Sequence, residues 1–109
     1  MSDLAAGKCK PCEGGVEPLQ PGEVQNLLKQ LNGWTLNERA ITKTYSFKNH
    51  YETMAFVNAA AWISHREGHH PDMQVGFNNC IVAYVTHAIE GLSVNDFICA
   101  AKLDKLFQL

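Results

Sequence analysis

Four of the five histidines fall between positions 65 and 87: His65, His69, His70 and His87. Two are adjacent, in the run Glu67-Gly68-His69-His70-Pro71. An unperturbed imidazole titrates at about 6.5 and so can give or take a proton near neutral pH. Taken singly, each histidine has an ordinary reading as a surface or hydrogen-bonded side chain. The clustering argues against four unrelated ones. A metal site is the second reading, because His65 and His69 are four apart and imidazole is a common zinc ligand. Against it, Gly68 is suited to ending a helix before His69. The order His-x-Glu-x-His is also not the zincin order, in which glutamate directly follows the first histidine. Cys9-Lys10-Pro11-Cys12 looks like half of a structural zinc site, yet no second such pair completes four ligands. No metal is therefore expected. The third reading is acid–base catalysis without a cofactor, a task for which two or three imidazoles around one pocket suffice.

The elements that must hold these side chains follow from periodicity and caps. Residues 1–19 carry three glycines and two prolines with little pattern and read as a flexible tail over the surface. A first helix is expected over 21–31, with Pro21 at its start, Val24, Leu27, Leu28 and Leu31 on one face, and Gly33 past its end. Strands over 34–37 and 40–47 meet at a turn on Glu38-Arg39, and Ile41, Tyr45 and Phe47 share the buried face of the second. Asn49 offers a cap, with Glu52 three residues on, for a helix over 50–67. Along it the small and apolar residues Ala55, Phe56, Ala59, Ala60 and Ile63 recur at helical spacing, with Trp62 beside the stripe. Gly68 ends this helix, and His70 is biased toward extended backbone by the proline after it. The histidine pair thus falls at a helix-to-strand junction.

Met73, Val75 and Phe77 alternate as a third strand, and Asn78-Asn79 signals a turn. Residues 80–87 form a fourth strand that is apolar on both faces. Ile81, Ala83, Val85 and His87 project together, and this row is expected to look inward. Ser93 and Asp96 make a capping box for a last helix to about 107, with Val94, Phe97, Ile98 and Ala101 inward. The order α-β-β-α-β-β-α predicts an α+β fold of two layers: a four-stranded, mostly antiparallel sheet with helices on one face. After the tail, residues 20–109 make a single domain, the size 109 residues allow.

A net charge of -2 gives no footprint for nucleic acid or an anionic membrane. No apolar run approaches the roughly 18 residues needed to span a bilayer, and Met1-Ser2-Asp3-Leu4 lacks a basic segment followed by an apolar one. A cytoplasmic protein with reduced thiols is expected. The doubly apolar fourth strand, in a chain with few elements to cover it, predicts a homodimer or homotetramer with residues 80–86 and 55–61 near the contact.

Eliminating water from a carbinolamine needs one group to protonate the leaving hydroxyl and another to take a proton from the neighbouring nitrogen. Here the spacing resembles the pterin-4a-carbinolamine dehydratases. In that family an acidic residue or histidine stands four before a His-His-Pro run, an aromatic six beyond the proline, a histidine ten further and an aspartate nine beyond that. These places hold His65, His69-His70-Pro71, Phe77, His87 and Asp96. Departures are Gly68, where some members carry an acidic residue, Met73, where some carry an aromatic, and His65, often a glutamate. The resemblance implies an enzyme that converts 4a-hydroxytetrahydropterin to quinonoid dihydropterin plus water, with no cofactor. Such a step recycles the pterin of an aromatic amino acid hydroxylase. His69, His70 and His87 carry over as catalytic residues and, with Pro71 and Asp96, as the substrate-binding set. The resemblance also implies an alternative, an oligomeric binding module serving as dimerisation cofactor of a transcription factor.

Overall fold

A computed structural model describes residues 4–10 and 17–107 of the chain. In order these form α1 (Pro21–Leu28), β1 (Thr35–Asn37), β2 (Ala40–Ser46), α2 (His50–Glu67), β3 (Asp72–Val75), β4 (Asn79–Tyr84) and α3 (Val94–Asp104), with 3₁₀ turns at Leu4–Ala6, His87–Ile89 and Lys105–Phe107. The four strands make one sheet in the order β1-β2-β4-β3, every neighbouring pair antiparallel. The α+β class and the sheet expected from the pattern are both present.

Local chemistry sets the bounds of α2. Asn49 accepts the Glu52 amide at 2.9 Å, and the Glu52 carboxylate reaches back to the Lys48 amide at the same distance, so two otherwise orphaned donors are satisfied. At the far end Gly68 takes a left-handed conformation with φ 65°, where a side chain would be strained. The first helix is shorter than its apolar stripe suggested. After Leu28 the chain tightens into 3₁₀-type bonds, Gln30 to Leu27 and Leu31 to Leu28, and turns at Gly33, whose φ is 86°.

Register decides which face of each strand is buried. Ile41, Lys43 and Tyr45 of β2 stand opposite Tyr84, Val82 and Cys80 of β4. Lys43 apart, this row, with Phe56 and Ala60 of α2 and Phe97, Ala100 and Leu103 of α3, makes the core. Each large apolar side chain so buried is worth about 1.5–3 kcal/mol relative to leaving it exposed. Lys43 meets Asp104 at 2.8 Å, and the same carboxylate accepts from the Trp34 indole at 3.0 Å and from the Tyr45 hydroxyl, tying the end of α3 to the sheet.

Four expectations are corrected. The inward row of β4 is Cys80, Val82 and Tyr84, not Ile81, Ala83 and Val85; Ile81 and Ala83 face outward beside Thr44 and Thr42. Both rows are apolar, so period-two alternation could not choose between them. The strand also stops at Tyr84, and His87 opens a 3₁₀ turn instead of extending the row. Phe77 lies beyond β3, in the turn closed by the Gly76 amide on the Asn79 carbonyl, and is exposed. Val94 is likewise exposed rather than inward, at the very start of α3.

Residues 4–10 lie against α3 and the end of α2. Lys102 donates to the Ala5 carbonyl at 2.8 Å, and the Cys9 amide donates to Glu67 at 3.0 Å. Asn95 forms a two-way clamp on Lys10, accepting its amide at 3.0 Å and donating to its carbonyl at 2.6 Å. The segment read as tail thus has, over these residues, a defined path across the domain; Cys12 lies outside the described residues.

Candidate active site

The left-handed Gly68 stops α2 and turns the chain sharply, so that His69 and His70 follow at the start of the path into β3. His87 arrives from the 3₁₀ turn after β4, and Asp96 occupies the third position of α3. Three separate junctions between helix and strand thereby converge. They border a cleft of about 500 Å³ whose wall includes His65, His69, His70, Thr86, His87 and Asn95, with Cys9 and Lys10 closing one side.

His69 is the most constrained of these histidines. Its side chain is 12% exposed, and Nε2 lies 2.6 Å from Asp96 Oδ1. Its ring stacks on Tyr84 with centroids 5.8 Å apart and planes 8° from parallel. The Asp96 side chain has no exposed surface. Its other oxygen, Oδ2, accepts from the Thr86 hydroxyl at 2.8 Å and from the Ser93 amide at 3.0 Å. Because Thr86 spends its proton on Asp96, the Ser93 hydroxyl 2.8 Å away donates to Thr86. A carboxylate already accepting two donors offers its remaining oxygen as an acceptor, so Nε2 of His69 carries the proton and, in the neutral ring, Nδ1 carries the lone pair.

The other histidines are held loosely. His70 is exposed, with Nδ1 3.4 Å from the Pro71 carbonyl. His87 is 69% exposed, and its Nε2 lies 3.9 Å from Asp72 Oδ2, an exposed pair worth about 0–1 kcal/mol. His65 is exposed in the last turn of α2, its ring 5.5 Å from that of Trp62. Pro71 stands outside the cleft wall and directs the chain into β3. Asp96 is also outside it, directly behind His69, so it meets the cleft through the imidazole and not by touching an occupant.

Asp96 therefore does two things at once. The sequence showed the capping role at Ser93; the second oxygen, turned to His69, is a tertiary fact. Thr86 and Asn95 were not singled out from sequence, and Cys9-Lys10 was read as part of an incomplete zinc motif in a tail, not as an edge of the cleft. Thr86 sat inside an apparently apolar strand, and the others belong to segments brought to the cleft only by folding. Glu67 titrates below the ordinary glutamate range, chiefly because its carboxylate accepts the Cys9 amide, with Lys102 3.8 Å away adding to the effect. Among the described residues, no group of three or more His, Cys, Asp or Glu side chains is placed to hold a metal ion.

Comparison with known proteins gives the family of the chain. A Nitrosomonas eutropha protein that carries the provisional name pterin-4-alpha-carbinolamine dehydratase is 68% identical over 107 residues, covering 97% of this chain and 95% of its own length. A Nitrosomonas europaea protein with the same provisional name is 65% identical over 109 residues, covering 99% and 96%. Among solved structures, the transcriptional coactivator/pterin dehydratase from Brucella melitensis superposes with a TM-score of 0.78 at 28% identity, over 81% of this chain and 96% of that one. A pterin dehydratase-like protein identified as a RuBisCO assembly factor in the alpha-carboxysome shares the fold, with a TM-score of 0.60 at 22% identity over 69% and 89%. The family model described as pterin 4 alpha carbinolamine dehydratase matches residues 17–106, which takes in the whole sheet, all three α-helices and every histidine of the cleft. On that match and those identities, the chain belongs to the pterin 4 alpha carbinolamine dehydratase family.

Proposed function

We propose that this protein dehydrates 4a-hydroxytetrahydropterin to quinonoid dihydropterin by proton transfer through the histidines of the cleft. The observation that carries the reading is the His69–Asp96 pair at 2.6 Å, one imidazole fixed by a buried carboxylate within a cleft that three further imidazoles, His65, His70 and His87, also border. Loss of the hydroxyl needs a proton delivered to the leaving oxygen and another removed from the adjacent nitrogen. Imidazoles perform both near neutral pH, and fixing one ring spares the transition state that ordering cost. Asp96 serves as a positioning residue, while His69, His70 and His87 are the catalytic and substrate-binding groups. Pro71 contributes by setting the backbone after His70. In this reading the step regenerates the pterin of an aromatic amino acid hydroxylase in the cytoplasm.

The deciding experiment is stopped-flow dehydration of freshly generated carbinolamine by the purified protein. A rate well above the spontaneous reaction, unchanged after exhaustive chelation, supports the assignment. A rate equal to the spontaneous one removes it.

Self-association belongs to the same proposal. Ile81 and Ala83 leave the outer face of β4 apolar, with Ile81 38% exposed, and a second copy covering that face makes the homodimer or homotetramer. The reading as a dimerisation cofactor is favoured by one feature, the exposed aromatic pair Tyr51 and Trp62 on α2. Partner binding that survives His70→Ala but fails in a Tyr51→Ser/Trp62→Ser double variant would establish it.

A further inference from the structure

Among the thiols that the mechanism above leaves unused, two lie beside each other. Cys9 Sγ and Cys99 Sγ are 3.3 Å apart although 90 positions separate them in the chain. Cys99 is fully buried in α3, whereas Cys9 is partly exposed and forms part of the cleft wall. Cys9 stands outside the family-matched region, in the segment that crosses α3. That segment is held here without a covalent link: by the Cys9 amide on Glu67, the Asn95 clamp on Lys10, Lys102 on Ala5, and the packing of Leu4 and Cys9 against the core. The Cys9 thiol reaches the Asn95 carbonyl at 3.7 Å, so its own proton has an acceptor and Cys99 is the donor between the two sulfurs. A disulfide needs the sulfurs about 1.3 Å closer, at about 2.05 Å, which is a small movement for a partly exposed side chain on a surface segment.

We propose that Cys9 and Cys99 form a reversible dithiol–disulfide site that locks the 4–10 segment as a covalent wall of the cleft. The oxidant is a peroxide. The Cys9 thiolate attacks one peroxide oxygen, the O–O bond breaks, and Cys9 becomes a sulfenic acid while the departing hydroxide takes up a proton. The Cys99 sulfur then attacks the Cys9 sulfur, forming the S–S bond and breaking S–O; the hydroxyl leaves as water with the Cys99 proton. Two thiols lose two electrons and two protons, and one peroxide gains them as two waters. The order follows from access: the partly exposed sulfur meets the oxidant, and the buried one resolves it. The hydrogen bond with Cys9, and then burial, hold the Cys99 thiol protonated well above the usual range, in keeping with its place as donor and second reactant. A thiol reductant returns both groups, so the wall is covalent in one redox state and held by noncovalent contacts in the other.

The test uses the full chain carrying Cys12→Ser, which removes the neighbouring thiol that competes for Cys9. After treatment with one equivalent of hydrogen peroxide, non-reducing peptide mass spectrometry should show Cys9 joined to Cys99 with a loss of two hydrogens, reversed by dithiothreitol. Amide exchange across residues 4–10 should slow at least tenfold on oxidation, and the melting temperature should rise by several degrees, because the bond closes a loop of about 90 residues. A Cys9→Ser chain, altered only at the partly exposed position, should show neither change. Oxidation that stops at a Cys9 sulfinic acid, links Cys9 to another chain, or joins Cys9 to Cys99 without slowing exchange in the segment would overturn the proposal. None of these readouts uses pterin turnover, so they stand whether or not the dehydratase reading does.

Discussion

Nε2 of His69 lies 2.6 Å from Oδ1 of Asp96, and that carboxylate is sealed from solvent with its second oxygen engaged by Thr86 and Ser93. The arrangement leaves the imidazole one favoured tautomer and one orientation. It also makes the N-terminal cap of α3 part of the same hydrogen-bonded unit as the cleft.

Removing the ring and removing its orienter should therefore have different signatures. His69→Ala should slow dehydration by about 100- to 10,000-fold, the usual contribution of a general acid–base group. Asp96→Asn keeps the ring but disturbs its tautomer, so it should lower kcat by less while shifting the pH profile, with KM little changed. It should also cost about 1–3 kcal/mol of stability, because it leaves buried partners of the carboxylate mispaired. Rate, pH profile and melting temperature measured on both variants check this; an Asp96→Asn enzyme with an unaltered pH profile would leave Asp96 a helix cap only.

His70 and His87 are exposed and weakly bonded, so replacing either should affect the reaction far more than the fold. His70→Ala and His87→Ala should each slow dehydration by about 100-fold or more, with melting temperatures close to the parent. His50, exposed at the start of α2 and away from the cleft wall, is the control, and His50→Ala should leave the rate within about twofold. Equal rates for the three variants would withdraw the catalytic roles.

The link between Glu67 and the N-terminal segment should depend on pH. The folded-state pKa of Glu67 is lowered because the ionised carboxylate accepts the Cys9 amide and faces Lys102. A depressed carboxylate pKa contributes stability that is present above the unfolded value, about 4.3. That contribution is lost as pH falls through the lower folded value. The Cys9 amide resonance should therefore shift in a single step below the ordinary glutamate range, and Glu67→Gln should abolish the step. A Cys9 resonance that does not follow Glu67 would place the segment's anchor elsewhere.

The outer face of β4 should be covered by a second chain. Light scattering at micromolar concentration should give at least twice the mass of 12.1 kDa, and Ile81→Lys, which places a charge on that face, should reduce it to a monomer. A parent protein that is already monomeric would end the self-association reading.

How much of this was legible in the sequence can be argued from particular residues. α2 was readable end to end, because Asn49, Glu52 and Gly68 act on backbone groups within one turn of themselves, and such effects need no knowledge of the rest of the chain. The histidines at 69, 70 and 87 and the cap at Ser93-Asp96 were readable for the same reason: type and spacing are local. The face of β4 was not, because Cys80, Val82 and Tyr84 are no more apolar than the row beside them. Only pairing with Ile41 and Tyr45 decides which row is buried. Nor could spacing show that Asp96 serves His69, 27 positions away, with its other oxygen still on the cap, or that Cys9 would lie 3.3 Å from Cys99. Those relationships exist only once the sheet has brought the ends of α2, β4 and α3 to one edge. A periodic pattern records which residues an element would bury, whereas the chemistry of a site depends on distances between elements, and these are set by packing.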